Sequence, residues 1–159
     1  MSGKTDNTIY PTLLDGQETY TTTDIQRILD IKKQRLRQWT KLGYVEPTTA
    51  STGSGVKSFF SKFQVYQISL FKKLVELGLN RWISAQFAQK LDFTEWQEVV
   101  RGNHKFMVIS GTVDRSKDWE DSLSYVFVNE IPADLRDIEL ALVINLSEIV
   151  KDVNSKKNK

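Results

Sequence analysis

Cysteine is absent from this 159-residue chain, and histidine occurs once, at His104. A disulfide framework and a thiolate metal site are therefore excluded, and a histidine-based zinc site lacks its ligands. No apolar run approaches the ~20 residues of a membrane span. The N-terminus, MSGKTDNTIY, has no apolar core of the kind a secretory signal needs, so a cytoplasmic location is expected. There is no phosphate-cradling glycine loop and no serine or cysteine nucleophile motif. No enzymatic role and no cofactor are expected.

What the chain does have is a strong charge asymmetry. Residues 1–91 carry 13 Lys and Arg against 7 Asp and Glu, a net +6. Residues 92–150 carry 5 against 12, a net −7, and the tail 151–159 returns to +3. The overall +2 hides a basic first half, suited to phosphate, and an acidic second half, unsuited to it. A hydrophobic content of 40% is enough for a core in each half.

Tyr20 to Pro47, YTTTDIQRILDIKKQRLRQWTKLGYVEP, carries the densest signal. Thr21 to Asp24 offers a capping box, a hydroxyl followed three residues later by a carboxylate. Ile25, Ile28 and Leu29 recur at buried helical spacing. Asp30 to Lys32 makes a turn. Leu36, Trp39 and Leu42 continue the apolar stripe on a second helix, closed by Gly43 and blocked by Pro47. Lys32, Lys33, Arg35, Arg37 and Lys41 fall within ten residues of that second helix. Two short helices with the charge on the second are the layout of a helix-turn-helix, whose second helix enters the major groove of DNA. A basic helix face is more often simply solvated; the layout around this one favours DNA.

Thr48 to Gly55, TTASTGSG, is a turn segment. With Tyr44-Val45 before it and Val56 to Phe60 after it, a small β-hairpin is expected. Ser61 then caps a long helix with Phe63, Tyr66, Leu70, Leu74 and Leu77 on its buried face, broadened by Val65, Ile68 and Phe71. Gly78 ends it. A further helix is expected from about Asn80 to Leu91, with Trp82, Ile83, Phe87 and Leu91 apolar.

This order of elements resembles the winged-helix DNA-binding domain of MerR-type transcriptional regulators over about residues 20–91. The residues that carry it are Leu36 to Trp39, LRQW; Leu42 to Pro47, LGYVEP; Phe59-Phe60-Ser61 at the end of the wing; and Leu74 to Leu79, LVELGL. The chain departs from the family at three points. Gln26 stands where a small residue is usual, Asp30 where the turn usually has glycine, and Ser58 where the wing usually has arginine, with Lys57 beside it. The metal-sensing members of the family use cysteines, so that effector class is not expected here.

Residues 92–154 read as a small α/β module, giving an α+β fold class for the whole chain, with residues 1–19 an extension and 155–159 a basic tail. Phe93 to Arg101 looks like a short helix, Lys105 to Ser110 and Ser124 to Val128 like strands, and Pro132 to Asp137 like a helical start or turn. Leu140 to Ile144, LALVI, reads as a third strand. Leu146, Ile149, Val150 and Val153 then form a short helix. The competing reading is one helix from Pro132 to Val153; the continuous β-branched run favours the strand. Trp39 and Trp96 are expected in the core, Trp119 as a partly exposed contact, and His104 as an ordinary surface residue. Asp118, Glu120 and Asp121 lack the spacing of a calcium loop.

The expected function is a MerR-type DNA-binding transcriptional regulator. The DNA-facing candidates are Lys32, Lys33, Gln34, Arg35, Arg37, Lys41 and Tyr44, with Ser54 and Lys57 in the wing. Lys33, Gln34 and Arg37 are assigned to bases and the wing to phosphate. The expected partners are double-stranded DNA and a second copy of the chain; a small-molecule effector is compatible with the second half but not identified. The alternatives are a DNA-architectural or excisionase-like accessory protein of a mobile element, or a winged-helix protein-interaction module. An excisionase is usually little more than the DNA-binding domain, and an interaction module has no need of the basic helix.

Overall fold

A computed structural model describes residues 18–48, 57–111, 123–131 and 140–157. Among the described residues there are six helices and two small sheets, an α+β architecture. The expected sites at Ser54, Trp119 and the Asp118–Asp121 acidic run, and the turn at Pro132 to Asp137, lie outside them. The chain divides into two compact units, Met1–Val65 and Tyr66–Lys159.

The first unit opens with β1 (Thr19–Thr21) and α1 (Thr22–Leu29). Both halves of the expected capping box form. Thr21 Oγ1 accepts from the Asp24 N–H at 3.3 Å, and Asp24 Oδ2 accepts from the Thr21 N–H at 2.8 Å. Ile25 and Ile28 are fully buried. The helix ends at Asp30, whose φ of 50° and ψ of 54° are left-handed, and α2 (Lys33–Lys41) follows after two residues. Gly43, with φ 74°, turns the chain out of α2 as expected.

Two expectations in this unit are corrected. Tyr44-Val45 forms bends and not a strand; β2 (Phe59–Ser61) pairs instead with β1, antiparallel, Tyr20 opposite Phe60. A three-residue strand is too short for its alternation to show in the sequence. Leu42 is 52% exposed and outside the packed stripe, because it lies at the cap beyond the last turn of α2.

The helix α3 (Lys62–Glu76) begins in a second capping box. Ser61 Oγ accepts from the Gln64 N–H at 3.3 Å, and Gln64 Oε1 accepts from the Ser61 N–H at 2.9 Å. Tyr66, Leu70, Leu74, Val65, Ile68 and Phe71 are buried as the spacing requires, and Phe63 is half-buried. Leu77 is exposed, since the helix has already ended and Gly78 turns the chain at φ 98°.

The second unit holds α4 (Arg81–Lys90), α5 (Phe93–Arg101), the strands β3 (Phe106–Gly111), β4 (Leu123–Val128) and β5 (Leu140–Asn145), and α6 (Leu146–Lys157). Asn80 and Asp92 cap α4 and α5 through side-chain oxygens. Ile83, Phe87 and Leu91 are buried; Trp82, in the first turn of α4, is 47% exposed. Leu140 to Asn145 is a strand, so the run LALVI follows its β-branched composition and not the single-helix reading. The sheet order is β4-β3-β5, antiparallel throughout. The register puts Met107 and Ile109 on one face with Tyr125, Phe127, Leu142 and Ile144. Phe87 meets the Tyr125 ring edge-on at 6.2 Å on this side. His104 stacks on Phe127 at 4.9 Å and is half-buried, so it is a packed residue and not an ordinary surface one. Val108 shares the opposite face with Val126 and Val143, which are exposed.

Tyr66, Leu91, Trp96, Leu146, Ile149 and Val153 are each at most 1% exposed. The α6 stripe is therefore used within the chain. The compact units divide inside α3, whereas residues 92–154 read from sequence as a separate module; Gln67 Nε2 donates to the Leu91 carbonyl at 2.6 Å, one of several ties that bind the later part of α3 to the second unit.

Candidate nucleic-acid interface

Helix α2 has two unlike faces. Leu36 and Trp39 turn inward at 1% and 3% exposure, while Lys33, Gln34, Arg35, Arg37, Gln38 and Lys41 are all exposed. Trp39 is thus a core residue, as its spacing requires. Lys33, Arg37 and Lys41 stand four residues apart, one above the other on the outer face.

The charge on α2 is not internally balanced. Its sequence, KQRLRQWTK, has no carboxylate. Elsewhere, Arg27–Asp24, Lys72–Glu76, Arg101–Glu98, Lys151–Glu148 and Lys156–Asp152 pair at helical spacing of three or four residues. Among the described residues no salt bridge includes a cation of α2. A face built only to be solvated gains from such pairs; α2 keeps five cations, counting Lys32, in mutual repulsion instead. Lys32 holds the N-cap position without a side-chain cap bond.

Three open depressions on the outer surface are lined by described residues. Lys33, Gln34 and Arg37 line one. Lys32, Gln34, Arg35 and Gln38 line the next. The third lies between the start of α1, the outer edge of α2 and the approach to β2, where Arg37 and Lys41 meet Thr22, Ser58 and Phe60. Six of the sequence candidates are therefore brought together by one helix. Tyr44 is half-buried in the turn after α2, with its N–H donating to the Trp39 carbonyl at 3.0 Å. Lys57 is exposed just before β2. Neither lines these depressions.

Thr22, Ser58, Gln38 and Gln64 were not among the candidates. Gln64 anchors the segment that leaves the helix-turn-helix: its Nε2 donates to the Glu46 carbonyl at 2.8 Å, and its Oε1 meets the Thr48 hydroxyl. The Ser61 N–H also donates to Thr48 Oγ1 at 3.2 Å. The S-x-x-Q pattern at Ser61 is the signal that could have found Gln64. Thr22 and Ser58 become neighbours only through β1–β2 pairing. Asp24, the carboxylate nearest in sequence to Thr22, is committed locally. Hydrogen bonds from Thr21 hold its pKa below the ordinary value, aided by Arg27.

Residues 20–81 match the model of the MerR HTH family of regulatory proteins. No curated protein matches the chain.

Proposed function

We propose that this protein is a DNA-binding transcriptional regulator, a reading supported by the match of residues 20–81 to the MerR HTH regulatory family. Helix α2 enters the major groove. The observation that carries the reading is the acid-free outer face of α2, with Lys33, Gln34 and Arg37 opposite the buried Leu36 and Trp39. Lysine and arginine bond the O6 and N7 of guanine, and glutamine bonds the N6 and N7 of adenine. Lys32, Arg35 and Lys41 supply phosphate contacts that set register without reading sequence, and Lys57 and Ser54 do the same from the wing. The acidic half is repelled by the duplex.

The functional unit is a homodimer. One helix-turn-helix reads few base pairs, and about 1–3 kcal/mol per pair discriminates weakly against a genome. Two-fold pairing doubles the site and matches a palindrome. Among the described residues helix α6 and β3 are occupied within the chain, and β4 and β5 are the outer strands of their sheet, so pairing falls to these two. Their sequences, LSYVFV and LALVIN, hold none of the charges that usually guard a sheet edge.

Titration of the full-length protein on a mixed-sequence duplex over a range of salt concentrations tests the reading. The expected result is a linear fall of log affinity with log salt, its slope counting the phosphates engaged. Binding that ignores salt would overturn it. Sedimentation of the full chain at micromolar concentration should give a dimer.

A further inference from the structure

We propose that Gln64 is the positioning residue of the wing: its side-chain amide ties the chain entering the wing to the chain leaving it, and so sets where Lys57 meets phosphate. This rests on the DNA-binding reading and adds to it a residue outside the DNA-facing surface. Gln64 lines none of the three depressions around α2.

The capping box at the start of α3 needs only an acceptor at Gln64, which Oε1 supplies to the Ser61 N–H at 2.9 Å. A glutamate would do the same. The amide carries an N–H donor in addition, and the fold uses it: Nε2 donates to the Glu46 carbonyl at 2.8 Å. Oε1 also accepts from the Thr48 hydroxyl. The Ser61 N–H is shared with Thr48 Oγ1 at 3.2 Å, across 13 positions of sequence. One side chain thus joins positions 46 and 48 to position 61. Val45 and Phe60, both buried, anchor the chain on either side of this clasp.

Lys57 lies inside the loop so closed, exposed and just before β2. Lysine meets phosphate as a point charge on a flexible stem, so its contribution depends on where its backbone is held. Tying the ends of the loop together removes conformations that would otherwise be lost on binding. Opening the clasp therefore costs the Lys57 contact without touching its charge. Lys33, Gln34 and Arg37 are fixed instead by the burial of Leu36 and Trp39 on the same helix, so base preference does not follow the clasp.

The test is a double-mutant cycle in the full-length protein, Gln64→Met against Lys57→Ala, read on a preferred and a scrambled duplex over a range of salt concentrations. Methionine is neutral and close to glutamine in size, so it removes the amide without adding charge. Gln64→Met should weaken both duplexes alike and lower the salt slope by up to ~0.9. In the Lys57→Ala background it should lower the slope no further, because two residues that act through one arrangement are not additive. Loss of the helix cap alone would lower the urea midpoint and leave the cycle additive. Additive losses, or parental binding by Gln64→Met, would overturn the clasp and leave the α2 reading standing. A changed sequence preference would overturn it too, since Gln64 would then be acting on α2. If Lys57→Ala binds as the parent does, the wing contact fails and the clasp with it; if the parent binds no duplex, the DNA-binding reading fails and takes both. Should Gln64→Met not fold, Thr48→Val, which leaves the cap of α3 intact, takes its place in the cycle with the same expected and contrary outcomes.

Discussion

The Tyr66 hydroxyl donates to Asn154 Oδ1 at 3.1 Å, joining α3 to α6 across 88 positions of sequence. The same ring lies 5.2 Å from that of Trp96 on α5. The chain after residue 91 is thus a structural partner of α3, and a chain ended at residue 91 would lose both contacts. Tyr66→Phe should cost about 0.5–1.5 kcal/mol. Trp96→Ala, at a fully buried site, should cost about 3–5 kcal/mol. Urea denaturation measures both; a smaller loss for Trp96→Ala than for Tyr66→Phe would contradict this packing.

The turn between α1 and α2 makes a separate demand. Asp30 sits at φ 50°, a left-handed conformation that aspartate tolerates and a β-branched residue does not. Asp30→Val should lose about 1–2 kcal/mol, and Asp30→Gly should lose nothing or gain slightly. The order of the two thermal midpoints is the check: valine above glycine would show that the turn relaxes freely.

Much of this architecture is legible in the sequence, for identifiable reasons. Helices α1 and α3 announce themselves because apolar spacing and caps coincide, at Thr21–Asp24 and at Ser61, and α4 and α5 through their apolar residues. The strand at Leu140–Asn145 shows through its unbroken β-branched run. Periodicity fails at helix ends: Leu42, Leu77 and Trp82 fit their stripes, but the chain has turned or only just entered the helix there. The site divides the same way. Lys33, Gln34 and Arg37 can be found on one helix, whereas Thr22 and Ser58 are brought together by a three-residue strand pair that leaves no pattern.

The first capping box is sensitive to acid. Hydrogen bonds from Thr21 favour the ionised form of Asp24 in the folded protein and hold its pKa below the ordinary 3.8. A depressed carboxylate contributes stability above its unfolded pKa and loses it as pH falls through the folded value. The parent should therefore be more stable than Asp24→Asn at pH 7, and the gap should close below pH 3.8. Chemical denaturation at a series of pH values would show it; a constant gap would mean that the charge plays no part.

Base and phosphate contacts leave different signatures. Arg37→Ala should cost about 1–3 kcal/mol of binding and relax preference at one base pair. Lys57→Ala should weaken every duplex alike and reduce the salt slope by ~0.9. Competition between preferred and scrambled duplexes separates them. A changed sequence preference in Lys57→Ala would move the wing from phosphate to bases.

The most direct measurement is selection of duplexes from a random pool by the full-length protein at one fixed, stated salt concentration. A regulator with α2 in the major groove of each of two protomers should enrich a recurrent sequence with two-fold symmetry. The Arg37→Ala protein should lose preference at one position of each half-site while still retaining duplex in a salt-dependent way. Retention of all sequences equally by the parent protein, or of none, would contradict the account.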